Sequence, residues 1–461
     1  MSTLASQSNA TFRDPAGSLR IEGEEVLRTV NPQYAAEALR FLRSRMAERW
    51  TNDGLLIKSE VLHGREGQPL LLKHPRIPFP SYPWEWTPGQ WMAAGELTLD
   101  LCEQLLDGGW ILKDATPLNI LFDSGRPVFV DVLSVEPRDP QSPLWLAYGQ
   151  FARTFLLPLA AYKYLGWPLA ATLHRRDGYE PADLYPFLSS LELWRAPLRS
   201  LVTLPYLFEK KKPAGNPAPP KLHNDPEIAA EVLRHNIRGL RKALRSLLPQ
   251  PRISRWSRYP ESADHYGEED RQEKQSFVRR AMTYLRPGSV LDIGANTGQY
   301  SRIAANAGAQ VVAWDTDVAA CERNWSEAMQ MGLAIQPMVV DAARPTPAAG
   351  WFNRESLSLL ERARDRFDCV LMLGIMHHLL VSEQIPLERV AQLAASLTRR
   401  WAIVEWVPST DGRFIDLCRG RDQLYGHLEE SLFLATFAGH FTLTERTVLN
   451  NGRALFLFEK P

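Results

Sequence analysis

The segment SVLDIGANTGQYS, Ser289–Ser301, places a carboxylate, Asp292, two positions before Gly294 and follows it with Asn296 and Gly298. Such a turn lets backbone approach a ligand closely, because glycine carries no Cβ. A dinucleotide site needs the order GxGxxG, so that the chain can lie against a pyrophosphate at a helix N-terminus. Here an acid precedes the first glycine, and no third glycine follows at the required place. A carboxylate so near would repel a diphosphate, whereas it suits a ligand whose near end is a cationic amino group. Asn296 fits the turn because asparagine tolerates the left-handed conformation that glycine usually supplies. Asp315 closes the next apolar run, about 20 residues on, where a carboxylate can accept from both hydroxyls of a ribose. Asp341 closes the third run. LMLGIMHHLL then brings Leu373, His377 and His378 to the end of the fourth, and Glu405 lies at the end of the fifth.

A second constellation stands upstream. NILFD and RPVFVDV flank Asp123-Ser124-Gly125 and predict a β-hairpin. That pairing sets Asn119 nearly opposite Asp131, and Asp114 precedes Asn119 on the approaching loop. Two carboxylates and an amide thus converge at one end of the hairpin.

The elements that must position these groups follow from the apolar pattern. From Ser289 onward, strands SVLDIG, AQVVAWD, LAIQPMVVD, RFDCVLMLG and RWAIVEWV alternate with amphipathic helical segments. Runs of Val, Ile and Leu buried on both faces imply a parallel sheet between helical layers. HFTLTERTVLNNGRALFLFEK reads instead as two strands around Asn450-Asn451-Gly452, which closes the sheet with an antiparallel pair. EKKKPAGNPAPPKLHNDP, Glu209–Pro226, holds too few apolar residues to bury a core and reads as a linker. The expected organisation is a front domain over 1–208, a linker with a connecting helix over 209–257, and an α/β domain over 258–461.

Composition narrows the partners. The 461 residues include 53 Lys and Arg against 53 Asp and Glu, so no global field recruits nucleic acid or anionic lipid. Four cysteines lie far apart with no CxxC, which favours a reducing, cytoplasmic compartment over structural zinc. The polar N-terminus lacks the apolar stretch of a secretion signal. The most lipophilic run, Thr154–Leu173, contains Lys163 and two prolines and reads as buried helices, so no membrane insertion is expected. Ser81–Trp91, with three tryptophans and a tyrosine, either packs a core or stacks on a sugar or aromatic acceptor.

Acid, glycine turn, ribose acid and terminal hairpin together resemble the class I S-adenosylmethionine-dependent methyltransferases, over about 258–461. The resemblance implies a Rossmann-like, seven-stranded sheet and S-adenosylmethionine as cofactor. It implies that Asp292 and Gly294 face the methionine part, with Asn296 and Gly298 in the same binding turn. Asp315 would hold the ribose, Asp341 the adenine edge, and Leu373 would lie beside the sulfonium. His377, His378 and Glu405 would stand on the side of a small-molecule acceptor; packing and helix capping is the other reading of the histidine pair.

The upstream trio resembles the catalytic loop and metal-binding hairpin of protein-kinase-like phosphotransferases, which implies a kinase-like α+β front domain. There Asp114 would accept a hydroxyl proton, while Asn119 and Asp131 would hold magnesium. Leu112 and Lys113 stand where a His-Arg pair is expected, no Asp-Phe-Gly follows, and no Gly-rich loop precedes. Lys73 is the strand lysine suited to phosphates, with Lys58 as its competitor. Three readings stay open: a working phosphotransferase, a kinase-like fold turned to binding, and an unrelated fold with a polar hairpin end. In outline the chain also resembles the bacterial methyltransferases named after the nodulation protein NoeA. The expected function is methylation of a small molecule, with a front domain that assists acceptor recognition. The alternatives are a bifunctional enzyme and a non-catalytic cofactor-binding protein.

Overall fold

The computed structural model describes residues 14–64, 67–209, 225–249, 254 and 267–461. They gather into two compact units, the first mainly from residues up to 250 and the second mainly from residue 251 onward.

In the first unit, β1 (Gly17–Glu22), β2 (Glu25–Val30), β3 (Glu60–His63) and β4 (Leu70–Pro75) form an antiparallel sheet in the order β1-β2-β4-β3. Thr87 then caps the helix Pro88–Asp107, and Gln90 completes the reciprocal capping pair. β5 (Trp110–Leu112) pairs with β8 (Val135–Pro137). Between them β6 (Ile120–Asp123) and β7 (Arg126–Phe129) form the hairpin foreseen around Asp123-Ser124-Gly125. Ser124 and Gly125 both take positive φ, 51° and 84°, as a two-residue turn between right-twisted strands requires.

The tryptophans after Ser81 are core: Trp86 packs edge-on to Phe122 and Trp91 to Phe155. The lipophilic run after Thr154 is buried helix, with Phe155, Leu156, Leu157 and Leu159 enclosed. No helix among the described residues is long and apolar enough to cross a membrane.

Residues 210–224 of the proline-rich stretch lie outside the described residues, but the helix that follows, Pro226–Leu247, belongs to the first unit. Leu233, Ile237, Leu240 and Leu244 face its core. Arg234, Arg238, Arg241 and Arg245 pair with Asp107, Glu103, Asp100 and Glu96 of the helix Pro88–Asp107. Exposed pairs of this kind contribute roughly 0–1 kcal/mol each, so the buried leucine stripe carries the attachment.

The second unit is a seven-stranded sheet of β9 (Ser289–Ile293), β10 (Gln310–Asp315), β11 (Ile335–Val339), β12 (Phe367–Met372), β13 (Thr398–Trp406), β14 (Thr442–Val448) and β15 (Ala454–Glu459). Its order is β11-β10-β9-β12-β13-β15-β14. The first five are parallel, and β15 and β14 run antiparallel at the edge. The chain steps outward one way from β9 through β10 to β11, then restarts on the other side with β12. The connections that follow β9 and β12 therefore run to opposite sides of the sheet, and the C-terminal ends of these two strands mark the switch point where ligands bind in open sheets of this kind. The helix Glu268–Leu285 precedes β9, and Asp270 near its start accepts from the backbone N–H of Asn450 (2.7 Å) and Asn451 (3.2 Å) in the β14–β15 turn.

Leu244→Ala should destabilise the first unit by about 2–5 kcal/mol, the usual loss for an enclosed leucine. Arg238→Ala should change stability by less than about 1 kcal/mol. Denaturant unfolding of the two variants checks this, and equal losses would assign the attachment to the ion pairs instead.

Candidate active site

Where β9 ends, Gly294 takes φ 75°, and its N–H and that of Ala295 both donate to the Trp314 carbonyl, at 2.9 and 3.0 Å. A Cβ on Gly294 would lie 3.1–3.3 Å from Ile375 side-chain atoms, so the loops leaving β9 and β12 meet here. Asn296 takes φ 50°, and its N–H donates to Asp315 Oδ2 at 2.7 Å. The Asp317 N–H donates to Asp315 Oδ1 at 2.9 Å. Both oxygens are thus aimed by backbone donors, and each keeps a lone pair for a ligand. Burial raises the Asp315 pKa, and those two amides oppose the shift.

These groups border a cleft of about 730 Å³ at the C-terminal ends of β9, β10, β11 and β12. Of the residues expected at the site, Gly294, Asn296, Asp315, Asp341, Leu373 and His378 line it. The other four, Asp292, Gly298, His377 and Glu405, stand behind its wall.

Asp292 is 1% exposed and accepts from Ser301 Oγ at 2.6 Å. It pins the first turn of the helix Gln299–Asn306 rather than facing a ligand, and burial pushes its pKa up to about 6. Gly298 is required by packing: with φ 80°, a Cβ there would lie 2.0 Å from Asn324 Oδ1. Glu405 is wholly enclosed. Lys274 Nζ donates to its Oε2 at 2.7 Å, and Arg453 Nη1 lies 3.5 Å from its Oε1. Arg453 in turn grips both oxygens of Asp411, at 2.8 and 3.1 Å. Glu405 therefore neutralises two buried cations and does not meet an acceptor.

The adjacent histidines separate into two roles. His377 is 5% exposed, its Nδ1 has no hydrogen-bond partner among the described residues, and burial lowers its pKa to about 3. His378 opens the π-helical turn His378–Ser382 and presents its side chain to the cleft. Burial, and then the nearby Arg453 charge, lower its pKa as well. Both rings, 4.3 Å apart, are therefore neutral at pH 7.

The lining residues that were not foreseen include Arg271, Lys274 and Tyr300 on one side and Arg344 and Glu383 on another. Arg271 and Lys274 share one face of the helix Glu268–Leu285, and Lys274 Nζ sits 4.8 Å from the Tyr300 ring centre. Tyr300, directly after the glycine turn, was the one with a usable sequence signal. The lysine sits in the strongly polar run EEDRQEKQ, which gives no sign that it is buried.

Within the upstream trio, Asn119 and Asp131 are joined through Ser134. Asp131 accepts from Arg28 Nη1 at 2.6 Å and from Ser134 Oγ at 2.5 Å, while Asn119 Nδ2 donates to Ser134 Oγ at 3.1 Å. Burial pulls the Asp131 pKa up, but Arg28 and Ser134 outweigh it and hold the carboxyl below its ordinary range. Asp114 is shifted up by burial, with Lys113 opposing. Lys73 pairs with Glu25 at 2.6 Å. Among the described residues no group of three or more His, Cys, Asp or Glu side chains is placed to hold a metal ion, so the expected magnesium site finds no support.

No family model matches the chain. The nodulation protein NoeA of Rhizobium meliloti (strain 1021) is 26% identical over 472 residues, covering 98% of this chain and 95% of that protein. Among solved structures, the N-methyltransferase NodS from Bradyrhizobium japonicum WM9 aligns at 13% identity and TM-score 0.31, covering 42% of this chain and 98% of its own. Magnesium protoporphyrin IX methyltransferase (ChlM) from Synechocystis PCC 6803, with bound SAH, aligns at 18% identity and TM-score 0.32, covering 44% and 94%.

The buried histidine makes acid stability testable. Folded His377 stays neutral down to about pH 3, whereas unfolded histidine gains a proton below about 6.5, so stability should fall as pH drops through that window. Asp292 acts in the opposite sense between about 3.8 and 6, where the folded state holds the extra proton. At pH 5 the His377 contribution should be on the order of 2 kcal/mol. Thermal unfolding of the protein and of His377→Asn from pH 7 to 5 checks this. The variant should lose less, and an unchanged acid slope would refute the assignment.

Proposed function

We propose that the second unit is an S-adenosylmethionine-dependent methyltransferase acting on a small-molecule acceptor, with His378 as the acceptor-side base. The observation that carries this reading is the convergence of the Gly294 turn, Asp315, Asp341, Leu373 and His378 on one cleft. Asp315 suits a ribose, since its two aimed oxygens can accept from neighbouring hydroxyls. Asp341, at the end of the next strand, suits the amino edge of an adenine. Arg271, which lines the cleft and pairs with Glu268 near the surface, suits the cofactor's carboxylate, while the Lys274 charge is already matched by Glu405.

When bound, the cofactor supplies an electrophilic methyl group on a sulfonium. The chain's own task is alignment, which contributes at most roughly 7–11 kcal/mol. His378, neutral at pH 7, can take the proton that an amine or hydroxyl acceptor sheds, and the buried His377 ring beside it fixes its position. Leu373 and Ile375 keep the reacting end apolar.

For the first unit we infer a kinase-like fold that recognises the acceptor and does not transfer phosphate. Two short antiparallel pairs around a loop bearing Asp114 and Asn119 support the likeness. The commitment of Asp131 to Arg28 and Ser134, and of Lys73 to Glu25, supports the loss of phosphotransfer. The similarity to NoeA runs along nearly the whole chain, which supports treating both units as parts of one function.

Calorimetric titration with S-adenosylmethionine, S-adenosylhomocysteine, NAD and magnesium-ATP in parallel should give binding of the first two alone. Asp315→Ala should weaken that binding by about 1.5–3 kcal/mol, the loss for charge-assisted hydrogen bonds. Tight NAD binding without S-adenosylmethionine binding would refute the reading. Once an acceptor is in hand, His378→Ala should lower turnover by about 10²–10⁴-fold while cofactor affinity stays within twofold or so. If His377→Ala gives the same profile, the two histidines do not have separate roles.

A further inference from the structure

Arg344 bridges two walls of the cleft. Its Nη1 donates to Asp341 Oδ2 at 2.7 Å, from the loop after β11, and its Nη2 donates to Glu383 Oε2, just past the π-helical turn after β12. All three residues line the cleft. The other oxygen of Asp341, Oδ1, accepts from the Ala343 N–H of its own loop at 2.8 Å. So the Asp341 oxygen that its own backbone leaves open is the one that Arg344 holds.

We propose that Arg344 is a displaceable strap across the adenine end of the cleft, one that sets cofactor affinity by competing for Asp341. This rests on the methyltransferase reading above. While that end is empty, one guanidinium neutralises both carboxylates, which would otherwise repel each other across the gap. A purine amino group arriving at Asp341 takes over Oδ2, and the guanidinium swings into solvent while keeping Glu383.

The exchange is feasible because the Arg344 side chain is 68% exposed and, among the described residues, is held by these two ion pairs. Exposed ion pairs are weak and salt-screened, so release is easy. A neutral amino group is still a poorer partner than a guanidinium. Adenine therefore displaces the strap only when the rest of the ligand is anchored, the ribose at Asp315 foremost. The strap so favours ligands that present base and ribose together.

Titration of the full chain with S-adenosylhomocysteine, at about 50 mM and about 500 mM NaCl, tests this. Arg344→Ala should tighten binding about 2–5-fold at low salt, the range expected on removing an exposed ionic competitor. Glu383→Gln should shift affinity in the same direction by less, because it weakens the strap without removing it. Both gains should shrink at high salt. If the original chain binds and Arg344→Ala binds equally or more weakly, the strap is wrong and Arg344 is either idle or a ligand contact. If neither the original chain nor the variants bind, the methyltransferase reading fails, and the strap fails with it.

Discussion

The second unit depends on one enclosed carboxylate. Glu405 has no solvent access, and it carries the charges of Lys274 and Arg453 at once. Burying such groups is unfavourable unless each is paired, and removing one partner leaves an uncompensated charge in the interior. The pairing therefore dictates where three distant segments lie. Lys274 brings in the helix Glu268–Leu285, Arg453 fixes the end of the β14–β15 turn, and Asp411, gripped by the same arginine, fixes the loop after β13. Asp270 repeats the tie by capping the Asn450-Asn451 turn. The network thereby holds in place the wall of the cleft that carries Arg271 and Lys274.

Within that frame the cleft is set by backbone geometry. Gly294 permits the loops leaving β9 and β12 to touch, and the left-handed Asn296 points its N–H at Asp315. The glycine turn thus orients the Asp315 carboxylate on the rim of the cleft. The histidine pair shows the same economy. One ring is sealed and stays neutral because it cannot be solvated, and it supports the ring that faces the cleft. Both depressed pKa values follow from burial, first of all.

The first unit turns polar residues to structural use. Asn119, Ser134, Asp131 and Arg28 form a chain of hydrogen bonds that ties β2 to the end of the β6–β7 hairpin. The Arg28 guanidinium supplies, within the fold, the charge that opposes Asp131. The helix Pro226–Leu247 then completes the core with its leucine stripe, while its arginines line the rim.

The sequence by itself determined what depends on near neighbours. Apolar runs placed the five parallel strands, Asn450-Asn451-Gly452 and Ser124-Gly125 placed the hairpins, and strand ends placed Asp315 and Asp341 on a common rim. These are legible because strand burial, turn conformation and strand-to-helix spacing are set within a few residues. Tertiary structure decided which polar groups line the cleft and which are spent on each other. Asp292 and Glu405 looked as suitable as Asp315, yet the first serves Ser301 and the second serves Lys274 and Arg453. His377 and His378 are neighbours of one type, yet the fold seals the first and sets the second in the wall of the cleft. A charged side chain's role depends on its desolvation and on partners that can lie more than a hundred positions away, as Lys274 does from Glu405. No local pattern encodes that distance.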